Sequence, residues 1–318
     1  MRIERWLRLL PEEQIQGSIV LLVARVWILQ AQGQLNEMPR WLTTAGQLLA
    51  ISASERSVKD NTQSRILYAL VATLWSMVQY FTGQIQAGLE SARSALEWLP
   101  PDEEYITSQI LMFLAWSYQA IGKEERALVA LQQALTDHAL SINSTARLLF
   151  AKAWVYLAAS KLHQVEHTAR HLLHIAQKAD LVLSNYYAHW LLGMVYYEWN
   201  DLDRAVYHFS AVIANQHQAH FWMVQDAMHG LALAYEAQGM STQAQETARA
   251  VLEVVQGRIT MRELFTTYAV CGRLALLQNN VEEASQRLEL AGDQEMQGPM
   301  TFLEVPSITK ACVACQRR

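Results

Sequence analysis

Apolar side chains along this chain keep returning at intervals of three and four residues. Leu111, Leu114, Ala115 and Tyr118 stand at i, i+3, i+4 and i+7, which places them on one stripe of a helix. The stripe breaks at Gly122 and resumes at Ala127, Leu131 and Ala134. This is the pattern of a helical hairpin, two amphipathic helices joined at a turn residue. No alternation with a period of two competes with it, so no sheet is predicted.

The hairpin recurs. YQAIGKEERALVAL at 118–131, YYEWNDLDRAVYHF at 196–209 and YEAQGMSTQAQETA at 235–248 share one skeleton: Tyr, then Gly or Asn four residues on, then Ala nine residues on. Anchored on the turn, Gly33, Gly83, Gly122, Lys161, Asn200, Gly239 and Asn279 follow one another at 50, 39, 39, 39, 39 and 40 residues. A period of this size belongs to a solenoid of two-helix repeats. Gly or Asn supplies the left-handed backbone that ends a helix; Lys161 is expected either to be strained there or to use another turn. Five residues beyond each turn stand Met38, Gly88, Ala127, Glu166, Ala205, Ala244 and Ala284, mostly small, so the second helix can press on the first. The 50-residue interval contains ISASERSVKDNTQ at 51–63, expected as an exposed and mobile loop. The chain is thus predicted to be one all-α domain over 1–318, a superhelical solenoid of about seven repeats.

Composition narrows the function classes. Thirty acidic and 25 basic residues give a net charge of −5 without a basic block, which is not the footprint of a nucleic-acid binder. Three cysteines are too few for a disulfide framework and fit a reducing cytoplasm. The start, MRIERWLRLLPEE, lacks the apolar stretch of a signal peptide. The longest uncharged run, Ile66–Leu89, carries polar residues throughout and fits a buried helix and a turn, not a membrane span.

Leu192, Gly193, Tyr196, Asn200, Ala205 and Phe209 follow the Leu-Gly, Tyr, turn, Ala, Phe order of the tetratricopeptide (TPR) consensus. The period near 39 adds roughly one helical turn to the usual TPR repeat. In that respect the chain resembles the sensor region of large LuxR-type bacterial transcription activators related to the maltose-regulon activator. RWLRLLPEEQIQGSIVLLVARVWILQAQGQL at 5–35 and FLEVPSITKACVACQRR at 302–318 resemble that family's opening and closing phrases. The resemblance implies a small-molecule inducer or regulatory protein as partner. It also implies flanking ATP-binding and DNA-binding modules, which this chain lacks. The nearest string to a phosphate-binding loop is GQIQAGLE at 83–90, where Leu89 and Glu90 stand in place of the lysine and hydroxyl. By the repeat spacing, residue 318 falls at the turn of an eighth repeat, so a piece of a longer regulator is expected.

Candidate chemistry does not assemble into a catalytic or cofactor site, and no enzyme, metal or cofactor is expected. Cys312 and Cys315 form a lone CxxC without partners at zinc spacing, and are expected as two small apolar residues on one helix face. His163, His167, His171 and His174 lie near one face of a helix and fit a solvated, pH-sensitive surface better than a metal site. What remains is the inner surface. Projected onto TPR groove positions, Trp27, Met77, Tyr80, Met112 and Trp116 are followed by Tyr187, Trp190, Met194 and Tyr197, and then by Asp226, His229, Glu236 and Arg273. Any one ring serves equally well as packing between repeats; as a set, the spacing favours a groove with aromatic walls and polar anchors. The expected ligand-binding set is therefore Trp116, Tyr187, Trp190, Met194, Tyr197, Asp226, His229, Glu236 and Arg273, with Trp190 at its centre. The alternative is a free-standing TPR adaptor that docks a peptide or partner helix.

Overall fold

The computed structural model describes residues 2–55, 61–100, 102–136, 140–214, 216–256, 261–291, 303 and 306–316. The described residues are helical hairpins and their turns, with no strand among them. They divide into two compact units, one up to Lys161 and one from Leu162 onward.

The first unit holds α1 (Arg2–Leu7), α2 (Glu12–Gln16), α3 (Ile19–Ala31), α4 (Met38–Glu55), α5 (Thr62–Phe81), α6 (Ile85–Trp98), α7 (Glu104–Ala120), α8 (Glu124–Leu135) and α9 (Ile142–Ala158). The second holds α10 (Leu162–Lys178), α11 (Val182–Glu198), α12 (Leu202–Ile213), α13 (Phe221–Ala237), α14 (Ser241–Gln256), α15 (Met261–Leu277), α16 (Val281–Ala291) and α17 (Pro306–Gln316). Within each unit hairpin partners pack on one another, as α5 does on α6 and α11 on α12, and first helices pack on the first helix of the next repeat, as α5 does on α7 and α11 on α13. The first helices α7, α9, α11, α13 and α15 are all 17 residues long. The second helices vary: α8 and α12 have 12 residues, α14 has 16 and α16 has 11.

The turns repeat one hydrogen-bonding scheme. At Gly122 the residue after the turn, Lys123, donates its N–H to the Tyr118 carbonyl at 2.8 Å, and Gly122 donates to Gln119 at 2.9 Å. Asp201 to Tyr196 and Met240 to Tyr235 repeat the longer bond at 2.8 and 2.9 Å. The recurring tyrosine thus receives the closing bond of its helix through its backbone. Gly33, Gly83, Gly122, Asn200, Gly239 and Asn279 all have positive φ, as expected. Lys161 does not. Ser160 takes the left-handed place with φ 56°, and Lys161 donates to the Tyr156 carbonyl at 2.9 Å. The true spacings here are therefore 38 and 40 residues, and the position five residues on is Val165, fully buried, rather than Glu166. Asp180, between α10 and α11, is a further left-handed residue that the repeat phrase did not foresee.

The insertion at 51–63 is partly helical, contrary to the expected loop. α4 continues through Glu55, and Asn61 caps α5 by accepting from Gln63 and Ser64 N–H at 3.0 and 3.3 Å. Residues 56–60 lie outside the described residues. At the other end, α17 packs on α15 and α16 with Thr309 and Val313 buried. Ile308, Cys312 and Cys315 are exposed; the two thiols do not serve as apolar packing, and Val305 lies outside the described residues. Among the described residues, no helix is long and apolar enough to cross a membrane.

Candidate ligand-binding face of the second unit

Long side chains on successive first helices meet where those helices lie side by side, and most become packing. In the first unit Trp116 of α7 lies on Trp154 of α9 with centroids 4.6 Å apart and planes 26° apart. Tyr80, Phe81, Phe113 and Phe150 crowd the same ring. Its indole N–H donates to the Ala151 carbonyl at 3.3 Å, and Trp154 donates to the Tyr80 hydroxyl at 3.2 Å. Trp116, only 3% exposed, is core. The expectation that it lines a groove fails because its neighbours at the same height of adjacent helices are also aromatic, and the rings seal one another from water.

In the second unit the expected residues part company. Trp190 is fully buried, Met194 is 1% exposed and His229 is 2% exposed, so none of the three offers a surface. His229 Nε2 lies 3.0 Å from the Thr267 hydroxyl, which also accepts from the Gln225 amide at 3.0 Å. This buried polar chain links α13 to α15, and burial pushes the His229 imidazole down to about 3. It therefore stays neutral. Glu236 fastens the end of its hairpin, accepting from Ser241 at 3.0 Å and from the Gln278 amide at 2.6 Å. Arg273 donates to the Leu303 carbonyl at 2.6 Å and comes within 3.5 Å of the Tyr197 hydroxyl.

Tyr187, Tyr197, Asp226 and Arg273 keep partial exposure. Asp226 sits under the Trp190 indole and accepts its N–H at 2.7 Å. Burial pushes its carboxyl up to about 7, against the lowering effect of that hydrogen bond. One turn earlier on α13 stands Trp222, also half-buried, with its ring edge-on to Trp190 at 5.4 Å and 86°. Tyr187 lies nearly parallel to Trp222 at 6.4 Å and 23°, and to His220 at 6.0 Å and 17°. His220 is held down to about 4 by burial. Trp222 and His220 were absent from the expected set, yet the signal was available. Trp222 precedes Asp226 by four residues, and so shares its helix face.

Around the other face of α11 and α12, Phe209 fills the space between two glycines. A Cβ on Gly193 would lie 2.7 Å from the Phe209 ring, and one on Gly230 would lie 2.4 Å from it. Nearby, His189 and His208 face each other through their Nδ1 atoms at 2.9 Å, both buried. Desolvation lowers both, His208 to about 4 with help from His189, Arg170 and Arg204. His163, His167, His171 and His174 are exposed along α10. Among the described residues, no three His, Cys, Asp or Glu side chains gather closely enough to hold a metal ion.

Comparison with known proteins accounts for this architecture. The pattern describing the MalT-like TPR region matches residues 69–314. The chain belongs to the MalT-like TPR family. No curated protein matches the sequence. Among solved structures, a tetratricopeptide repeat protein from Parabacteroides merdae shares 18% identity at a TM-score of 0.51, with 94% of this chain and 99% of that one covered. Human IFIT1, solved as a dimer with m7Gppp-AAAA, shares 14% identity at a TM-score of 0.63, with 94% of this chain and 62% of IFIT1 covered. The APC/C hetero-tetramer Cut9–Hcn1 shares 12% identity at a TM-score of 0.53, covering 98% of this chain and 58% of the other. At these identities the likeness is one of fold, which this MalT-like TPR chain holds in common with them.

Proposed function

We propose that this MalT-like TPR region is the signal-receiving part of a LuxR-type transcription activator. The receiving surface is the partly exposed edge of α11 and α13, where Trp222 and Asp226 share a face of α13 and Tyr187 lies alongside Trp222; farther along α11, Tyr197 meets Arg273 of α15. The observation that carries this reading is the Asp226 corner. A desolvated carboxyl beside half-exposed rings is a costly arrangement for a fold to maintain, and such arrangements concentrate at binding sites. Membership of the MalT-like family supports the regulatory context. A ligand that binds one arrangement of the repeats better than another would shift their equilibrium by its difference in affinity, and flanking modules would respond to that shift. Trp190 positions the carboxyl rather than touching ligand, and Trp116 has no part in the site.

The test is a thermal-shift screen of small metabolites and short peptides against the purified chain, followed by calorimetry on the hits. A hit on this surface should weaken roughly tenfold or more in Trp222→Leu, the size of a hot-spot loss, and stay unchanged in Tyr118→Phe on another repeat. Hits that ignore both Trp222→Leu and Arg273→Ala overturn the assignment. The second reading, an adaptor docking a partner protein, is favoured if the screen yields peptides alone. It draws on the same fold occurring in partner-bound form in Cut9–Hcn1.

A further inference from the structure

Among the described residues, Asp226 is a carboxyl with no cation beside it. Its one partner is the Trp190 indole N–H at 2.7 Å, and burial and that bond are the whole of its electrostatic surroundings among the described residues. Several other acids of the chain are compensated by a cation. Glu12 pairs with Arg25, Glu124 with Lys161, Asp201 with Arg204 and Glu283 with Arg287. Those acids are at the surface, where pairing matters least. Asp226, where desolvation costs most, has been left without one.

The rest of the corner has a matching character. Trp222 stands one turn from Asp226 on the same helix and edge-on to Trp190. Tyr187 lies alongside Trp222. His220, next to Tyr187, is kept neutral by burial and brings no positive charge of its own. Electron-rich rings near a carboxylate that lacks a counter-charge among the described residues repel anions and give an uncharged ligand few donors. They suit a positive charge spread over carbon.

We propose that the corner formed by Tyr187, Trp222 and Asp226, backed by Trp190, receives an organic cation, an alkylated ammonium group set against the Tyr187 and Trp222 rings with Asp226 as its counter-ion. This rests on the reading of the α11–α13 edge as the receiving surface and names the class of ligand it takes. Trp190 is a positioning residue here, since its N–H aims the carboxylate while its ring is sealed inside. Arrival of the cation favours the ionised form of Asp226, so binding strengthens as pH rises through about 7.

Calorimetry with choline and with its uncharged isostere 3,3-dimethylbutan-1-ol tests the charge directly, since the two differ only in nitrogen against carbon. Choline should bind at least about tenfold more tightly than the isostere, as expected for a partly desolvated cation–π contact. Its affinity should rise between about pH 6 and about pH 8 while that of the isostere stays flat. Asp226→Asn should weaken choline at least about thirtyfold, the loss that follows removal of one partner from a buried charge pair, and Asp226→Glu should recover part of it. Circular dichroism establishes that both variants are folded. Equal binding of choline and isostere, no choline binding at millimolar concentration, or indifference to Asp226→Asn each overturns the cation. If uncharged hits from the screen still depend on Trp222, the receiving surface stands and only the ligand class falls.

Discussion

Phe209 shows how far a single buried ring constrains its neighbours. It is fully buried, and Gly193 and Gly230 approach it from α11 and α13 so closely that a methyl group on either would overlap the ring. Alanine usually stabilises a helix relative to glycine by up to about 1 kcal/mol. At Gly230 the overlap should reverse that sign and cost roughly 1–3 kcal/mol in urea denaturation. Phe209→Leu, which makes room, should recover part of the loss in the double variant. The sequence displayed all three residues through the consensus, but as separate positions; that one ring serves both glycines is visible only in space. Trp190 is the converse. Its spacing placed it on the inner side of α11, which is correct as an angle around the helix. Whether an inward ring is covered depends on what the adjacent helix offers at the same height, and there Trp222 and Asp226 close over it.

At the scale of the element, the turns were the most legible part of the chain, because left-handed backbone selects Gly and Asn so strongly. The fourth hairpin was misplaced by one residue for the same reason. It offers neither Gly nor Asn, and a constant interval of 39 pointed to Lys161. Tyr156 held the correct answer, standing four residues before Ser160 and nine before Val165. Ser160 bears the cost of a left-handed residue with a Cβ. Ser160→Gly should therefore stabilise the chain by about 0.5–1 kcal/mol, once the greater freedom of glycine in the unfolded state is allowed for. Lys161→Gly should not, since Lys161 is not left-handed and its Nζ donates to Glu124 at 2.7 Å. Melting temperatures of the two variants measured side by side decide the matter, and a gain at 161 would restore the unbroken interval.

For the whole molecule, titration divides the chain. His189, His208, His220 and His229 all belong to the second unit and all are depressed by burial, whereas the described part of the first unit contains no histidine. A histidine depressed on folding contributes stability that is present above its unfolded value near 6.5 and is lost as pH falls through its folded value, about 4 for His208 and His220. Asp226 works in the opposite sense, since a raised carboxyl gains stability as pH falls below about 7. Four groups against one leave acid destabilising. Hydrogen exchange at about pH 5 compared with pH 7, corrected for intrinsic rates, should show protection lost across α11–α13 and kept across α5–α8. Uniform loss would contradict the division. None of this was readable from composition, because ten histidines in a sequence carry no mark of which are buried.

Five consecutive first helices of one length, followed by second helices of several, also bear on how such a chain grows. A segment copied in tandem would arrive with a first helix that fits beside its new neighbour without trimming. Gains and losses of residues would fall on the second helices and the links behind them, where a shift changes no inter-repeat contact of the first helices. Lengthening by duplication thus preserves inherited geometry, and a binding corner made by two adjacent first helices can persist while repeats are added or removed on either side.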